Sequence, residues 1–302
     1  MIHEERERTA CVLRLFGAQD AAVQRAVQQL PGTTAQCRSR GAETLLALRA
    51  DSPQALERAQ KTLRHRFPAE LYGEGETTLA AAVVQALEHR RRLLVCSNAA
   101  AGALLETRLE TVPAAEKVFD FGAMSYADEA VRAKLDTRIR RVKGGAAAVE
   151  LARVHAARQL VGTEFAVGCL ERAEDTVLLV GSRKGCWVRT VNNGDAPALW
   201  LLDMLRRAVL GLGQAAGTCW QKYGKSIPPE ALTPYSLPGT EAPGCRRPSR
   251  HRLRKAAVAA VVLALAVLAA GWYYTGGDLA ALPQKLQSLG ADSLPHAGAK
   301  LI

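Results

Sequence analysis

"VCSNAAAGALLETRLETVP", residues 95–113, joins the end of an apolar strand to an alanine-rich helix. Its first three residues are typical of a buried strand, and residues 99–109 are predicted to form a helix directly after it. Free backbone N–H groups and the helix dipole suit such a strand–turn–helix junction to a nucleophile or a bound anion. The tip, however, consists of Asn98, three alanines and Gly102, so it provides no nucleophilic side chain.

The bulk composition indicates roughly two globular domains, given about 150 residues for each. Of the 302 residues, 48% are hydrophobic, and the formal net charge is +11. Residues 242–302 contain eight basic and two acidic residues, a net of +6, which leaves +5 for residues 1–241. This mildly basic body argues against a dedicated nucleic-acid surface, so nucleic acid is not expected as a partner.

The seven cysteines are scattered, and no two of them follow a CxxC spacing. No histidine lies at zinc-ligand spacing from a cysteine pair. The cysteines are therefore interpreted as reduced, mostly buried thiols. Neither a metal nor a cofactor is predicted.

Two α/β modules are predicted in the first two thirds of the chain. Residues 8–75 follow the order β-α-β-β-α, which predicts one sheet with two helices on one face. Residues 76–213 alternate strands with helices, which predicts a sheet covered on both faces in an α/β/α arrangement. The fold class is therefore α/β.

The remaining residues are predicted to form a linker, a membrane span and a tail. Residues 214–255 are rich in proline and then in basic residues, which is typical of an extended linker. Residues 256–274 carry no charge, follow a basic flank and end in aromatic residues, which predicts one transmembrane helix. The cell membrane is thus the expected location, with the lipid bilayer as partner, the N-terminal modules in the cytoplasm, and residues 275–302 as a short polar tail. Ala266 and Ala270 could provide a packing face for a homo-oligomer.

One family shares the pattern of the opening stretch. Its turn reads Glu-Ser-Cys-Thr-Gly-Gly-Leu-Leu, followed by x-x-Arg-Leu-x-x-Val-Pro. The matching residues here are Gly102, Leu104, Leu105, Arg108, Leu109, Val112 and Pro113. A second family motif reads Phe-x-Gly-Gly-Val-Val-x-Tyr-Ser-Asn-Glu-Ala-Lys. It is matched here at Phe119, Gly122, Tyr126, Glu129 and Ala130. Residues 76–213 therefore resemble the C-terminal domain of the CinA (competence/damage-inducible protein A) family, the nicotinamide-nucleotide amidohydrolases.

The first module is also similar to a domain of that family. The stretches "LRLFGAQDAAVQ" and "ELYGEGE" resemble the small KH-like domain that precedes the amidase in full-length members. The resemblance therefore covers about residues 8–213, and it implies an amidase-like fold for the second module.

The departures from the family pattern bear on catalysis. The resemblance places the nucleophilic serine at Ala99 and the lysine that helps to activate it at Val131. A glycine- and proline-rich loop of the family is replaced by a short link over residues 168–176. Because an amide needs an activated nucleophile, the resemblance implies a pseudoenzyme without catalytic residues. A nucleotide-like ligand or a partner protein is then expected to bind at the turn, with Asn98, Ala99, Gly102 and Tyr126 as the candidate ligand-binding residues.

Two alternatives remain open at this point. The first is an active amidohydrolase with relocated catalysts, for which Cys96, Ser97 and His155 are the candidates, although each is more simply interpreted as structural. The second is nucleic-acid binding through the KH-like module. KH domains hold the nucleic-acid backbone with a GXXG loop, and residues 8–75 contain none. Lys61, Arg64 and His65 are interpreted as one solvated helix face.

Overall fold

The computed structural model describes residues 9–120 and 126–235. Within these ranges the chain forms seven α-helices and ten β-strands, which are arranged in two sheets. Both sheets belong to one compact unit.

The first sheet has four antiparallel strands in the order β2-β3-β1-β4. In chain order the module consists of β1 (Ala10–Phe16), α1 (Asp20–Gln28), β2 (Thr33–Arg40), β3 (Glu43–Ala50), α2 (Pro53–Arg66) and β4 (Leu71–Glu74). Alternate residues of β1 and β3, such as Leu13 and Leu46, are buried against the two helices. The sequence predicted the order β-α-β-β-α, to which the structure adds β4 as an edge strand on β1.

The second sheet has six strands in the order β10-β9-β8-β7-β5-β6. Its module comprises α3 (Leu79–Arg90), β5 (Leu94–Cys96), α4 (Ala99–Leu109), β6 (Phe119–Asp120), α5 (Glu129–Ile139), α6 (Ala146–Val161), β7 (Phe165–Glu171), β8 (Asp175–Gly181), β9 (Cys186–Asn192), α7 (Pro197–Leu210) and β10 (Cys219–Gln221). Strand β5 runs parallel to β6 and β7, whereas the strands from β7 to β10 form antiparallel pairs.

Helices cover this sheet on both faces, and each face has its own apolar core. Side chains of α3, α4 and α7 form one core with Cys96 and Val167. Side chains of α5 and α6 form the other core with Val95 and Ala166. Since successive residues of a strand point to opposite faces, neighbours such as Val95 and Cys96 supply the two cores alternately.

A buried ionic network connects α7 to the first module. Asp203 lies between Arg206 and Arg207, at 2.7 Å from a guanidinium nitrogen of each. Arg206 also donates to the carbonyl of Ala69, and Arg207 donates to the carbonyl of Phe16 at 3.1 Å. Because all three charged side chains are almost fully buried, the loss of Asp203 would leave two guanidinium groups in the interior without the carboxylate that they share.

Residues 214–235 are part of the folded body, so the prediction that the linker begins at residue 214 is wrong. Strand β10 pairs with β9, and Ala231, in the 3-10 turn Pro229–Leu232, is completely buried. The Thr190 hydroxyl donates to the Ala231 carbonyl at 2.7 Å. Prolines in the segment suggested an extended spacer, but its apolar residues, such as Ala231 and Leu232, pack into the apolar core on the α5 and α6 face of the sheet.

The predicted fold class, which ended in a linker and a transmembrane helix, is corrected to a mixed α/β fold of two sheets and their helices. No helix within residues 9–120 and 126–235 is both long and apolar enough to cross a membrane. The segment 256–274, on which that helix was predicted, lies outside the described residues, as does the tail 275–302. The predicted membrane location and homo-oligomer stay predictions.

Candidate functional site

The strand–turn–helix junction that the sequence predicts is confirmed. Strand β5 ends at Cys96, and α4 begins at Ala99. Asn98 is the N-cap of this helix, and its side-chain oxygen accepts the Ala101 N–H at 2.9 Å. The Asn98 amide also donates to the carbonyl of Cys169 at 2.7 Å, which fastens the turn to β7. Asparagine is a favoured N-cap because its short side chain satisfies a helix N–H that has no partner within the helix.

Ala99 occupies the first position of α4, and its side chain is exposed. Ala100 is half-buried and packs against the core on the α4 face. At the tip of the turn, the position to which the resemblance assigns a nucleophile thus presents only a methyl group.

Tyr126 lies directly over the start of α4. Its hydroxyl donates to the Glu106 carboxylate, and a Cβ at Gly102 would clash with that hydroxyl. Burial raises the pKa of Tyr126, and the hydrogen bond to Glu106 adds to the effect. The structure therefore brings together the four predicted ligand-binding residues, with a neutral phenol held against the helix.

Val131, at the lysine position of the resemblance, lies on α5. Its side chain is half-buried and packs against the apolar core that contains Val95. Tyr126 instead packs against the core on the opposite face of the sheet. Val131 therefore has the surroundings of a packing residue, and a charged amine there would have to be removed from water.

Cys96 and Ser97, the candidates for a relocated nucleophile, are both completely buried. Burial raises the pKa of the Cys96 thiol well above its ordinary value. The Ser97 hydroxyl donates to Glu150 Oε1 at 2.7 Å. Both residues are thus kept from solvent, which agrees with the structural interpretation made from the sequence.

Glu150 is a buried acid that the sequence analysis missed. Burial raises the pKa of its carboxyl, while the Ser97 hydroxyl and Arg153 oppose the shift. Arg153 also links Glu150, at 3.5 Å, to Asp136 on α5, at 3.1 Å. A signal was present in the sequence, since Glu150 precedes Val154 by four residues and therefore shares the apolar face of its helix.

Gly168 makes the contact between Ser97 and Glu150 possible. A Cβ at this position would lie 2.7 Å from the Glu150 carboxylate and 2.8 Å from the Ser97 hydroxyl. The predicted short link over residues 168–176 consists of the last residues of β7, a hairpin turn of residues 172–174 and the first residues of β8.

His155, the candidate for a relocated base, stacks on Tyr223, with 3.9 Å between the ring centroids. Its Nδ1 atom is buried and has no hydrogen-bond partner among the described residues. Burial lowers the pKa of His155, and Arg158 and Arg138 lower it further. It is partly buried on α6 and packs as an aromatic side chain.

The stability of the protein should fall on acidification, in part because of His155. Its pKa is lowered from 6.5 in the folded state. As the pH drops below about 6.5, the unfolded chain therefore binds more protons than the folded protein does, and the folded state is disfavoured. We expect His155→Phe, which keeps a ring against Tyr223, to lose less stability than wild type between pH 7 and pH 5 in urea unfolding. His65→Phe, at an exposed histidine on α2, is the control. An unchanged pH slope in His155→Phe would contradict this assignment.

Within residues 9–120 and 126–235, no three His, Cys, Asp or Glu side chains come together in an arrangement that could hold a metal ion.

Comparison with known proteins identifies several relatives, each of which is described as a CinA-like protein. A CinA-like protein of Desulfovibrio desulfuricans is 28% identical over 202 residues, which cover 56% of this chain and 46% of that protein. A CinA-like protein of Gemmatimonas aurantiaca is 29% identical over 121 residues, or 39% of this chain and 28% of that protein. These similarities support membership of the CinA family. A CinA-like protein of Dictyoglomus thermophilum is also similar to the chain: it is 30% identical over 79 residues, which cover 26% of this chain and 19% of that protein.

The chain spans less than half the length of each of these CinA-like relatives. No protein-family model matches the chain.

Proposed function

We propose that this CinA-like chain has a non-catalytic amidase-like domain, which acts by binding a nucleotide-like ligand at the turn before α4. The observation that carries the proposal is the exposed methyl group of Ala99 at the N-terminus of that helix. Hydrolysis of an amide requires an activated nucleophile, and a methyl group can neither attack a carbonyl nor transfer a proton.

The surroundings of the turn support the absence of catalysis. The nearest hydroxyl and thiol upstream, those of Ser97 and Cys96, are completely buried. The Ser97 hydroxyl is already used as a donor to Glu150, whose carboxylate in turn faces Arg153. A catalytic role for Ser97 would require this buried network to open and expose the hydroxyl, with the loss of a charge-assisted hydrogen bond.

Ligand binding is supported by what the helix N-terminus still offers. Asn98 satisfies the N–H of Ala101, and its carbonyl accepts the N–H of Gly102. The N–H groups of Ala99 and Ala100 precede the first intrahelical hydrogen bonds and have no hydrogen-bond partner within residues 9–120 and 126–235, so they can bind an anion with the help of the helix dipole. A phosphate of a nucleotide-like ligand has the charge and the acceptor oxygens for this position.

A thermal-shift titration with nicotinamide mononucleotide tests the proposal. At ten times the dissociation constant, binding should stabilise the protein by about 1.4 kcal/mol. We expect Ala99→Glu to abolish this stabilisation, because its carboxylate occupies the anion position while it still suits the first turn of a helix. Ala103→Glu, at an exposed position one turn later, should behave as wild type. Equal stabilisation of both variants, or none in wild type, would contradict binding at the turn.

A further inference from the structure

A cavity of about 970 Å³ lies at the opposite end of the second sheet from Asn98. It is situated where β5 and β7 begin, whereas the turn before α4 lies where β5 ends. The turn between β8 and β9 also borders the cavity through Ser182, Arg183 and Lys184. This cavity is therefore distinct from the proposed ligand site at the turn.

The cavity is strongly cationic. Six basic side chains line it, against one carboxylate, so the lining carries a side-chain charge of +5. The basic residues are Arg90, Arg92, Arg138, Arg158, Arg183 and Lys184. The carboxylate, Glu164, accepts the Leu93 N–H at 2.9 Å and lies 3.7 Å from Arg92. Within the described part of the chain, no carboxylate lies at ion-pair distance from the other five basic residues.

Helix dipoles explain only part of this charge. Four helices, α3, α5, α6 and α7, end at the cavity. Each of them contributes a residue of its last turn to the lining. Each C-terminus carries roughly −0.5 of a charge, so four of them provide about −2 against the +5 of the side chains. An excess of about +3 remains, and it favours the binding of an anionic partner.

Arg158 is held in place at the wall of this cavity. Its Nη1 atom donates to the carbonyl of Thr163 at 3.2 Å. Its Nε atom is buried and has no hydrogen-bond partner among the described residues. A guanidinium that is positioned in this way loses little side-chain entropy when an anion binds to it.

We propose that this cavity binds a small molecule carrying two or more phosphate groups. Arginine guanidinium groups pair with phosphate through two parallel hydrogen bonds, which favours phosphate over a simple charge partner. The volume lies in the range that is typical of small-molecule sites. Phe165 is the one aromatic residue of the lining, so successive nucleic-acid bases would have no series of rings on which to stack.

The test uses the full chain and inorganic tripolyphosphate as the probe. We expect tripolyphosphate to raise the melting temperature more than orthophosphate does at the same concentration, because it contacts several cations at once. The shift should shrink at high salt, since most of the basic side chains are exposed to screening. No shift with tripolyphosphate at low salt would overturn the proposal.

A matched pair of variants on α5 locates the site. Arg138 lines the cavity, whereas Arg132 is exposed on the same helix outside it. We expect Arg138→Gln to weaken tripolyphosphate binding about fivefold, the upper range for an exposed ion pair. Arg132→Gln should bind as wild type. An equal loss in both variants would indicate nonspecific attraction and would overturn the assignment to this cavity.

Two further measurements distinguish the occupant and the site. In the Ala99→Glu background, where the turn before α4 is blocked, tripolyphosphate should still raise the melting temperature, and Arg138→Gln should still reduce that effect, so a failure of binding at the turn does not affect this result. A loss of tripolyphosphate binding in Ala99→Glu would assign the anion to the turn and overturn the proposal. A single-stranded oligonucleotide that displaces tripolyphosphate, with an affinity that grows with its length, would identify a nucleic-acid surface and likewise overturn it.

Discussion

We expect no measurable release of ammonia when the purified chain is incubated with nicotinamide mononucleotide. Ala99 cannot attack the amide, and Val131 packs in an apolar core where the resemblance places an activating lysine. In well-studied hydrolases, removal of the nucleophile alone lowers the turnover rate by a factor on the order of 10⁶. A coupled ammonia assay sensitive to one turnover per hour makes the measurement.

The double variant Ala99→Ser with Val131→Lys should also be inactive. The short hairpin of residues 172–174 replaces the loop of the family, so the substrate would lack the orientation on which much of the rate depends. Ala103→Ser with Val131→Lys is the matched control for the added groups. The non-catalytic proposal would be contradicted if the wild-type chain turned over substrate and either Cys96→Ala or Ser97→Ala abolished that turnover. Turnover in the restored variant alone would show that the pocket is intact.

A chain truncated after Gly213 should lose about 5–8 kcal/mol of unfolding free energy, which is most of the stability of a typical domain. Truncation removes β10 from the edge of the sheet and uncovers the core into which Ala231 and Leu232 pack. It also removes the Ala216 carbonyl that accepts a hydrogen bond from the buried Arg189. Urea unfolding followed by circular dichroism measures the loss.

A chain that ends at Tyr235 is the control for this truncation. It retains every described contact of residues 214–235, so it should unfold cooperatively. If the two truncated chains had the same midpoint and slope in urea, residues 214–235 would contribute nothing to the fold. That outcome would restore the interpretation of this segment as a linker.

Local features of the chain were predictable because they depend on neighbouring residues. The apolar run that ends at Cys96 and the capping residue Asn98 together specify the strand, the turn and the helix. Three of the four strands of the first sheet were predicted in the same way, whereas the edge strand β4 was not. Ser52 and Pro53 act equally locally at the start of α2, where the Ser52 side chain accepts the Ala55 N–H. These signals act within a few residues, so a single sequence contains them in full.

The chemistry of the turn was only partly predictable. The resemblance located Ala99 and Val131, but it could not reveal that Ser97 donates to Glu150, which lies 53 residues away. Nor could it reveal that the Tyr126 hydroxyl takes the space next to Gly102. Such contacts depend on how elements that are distant in the chain pack together, and no local pattern encodes that geometry.

The sequence by itself determined the α/β character of the body, the junction at Asn98 and the absence of a nucleophile at Ala99. Tertiary structure alone decided that residues 214–235 complete the second sheet and that the ends of several helices gather basic side chains around one cavity. The physical reason is the separation along the chain of the residues that interact. Capping and strand alternation are set by adjacent backbone groups, whereas sheet edges and charge clusters arise only when distant segments are brought within a few ångströms of each other.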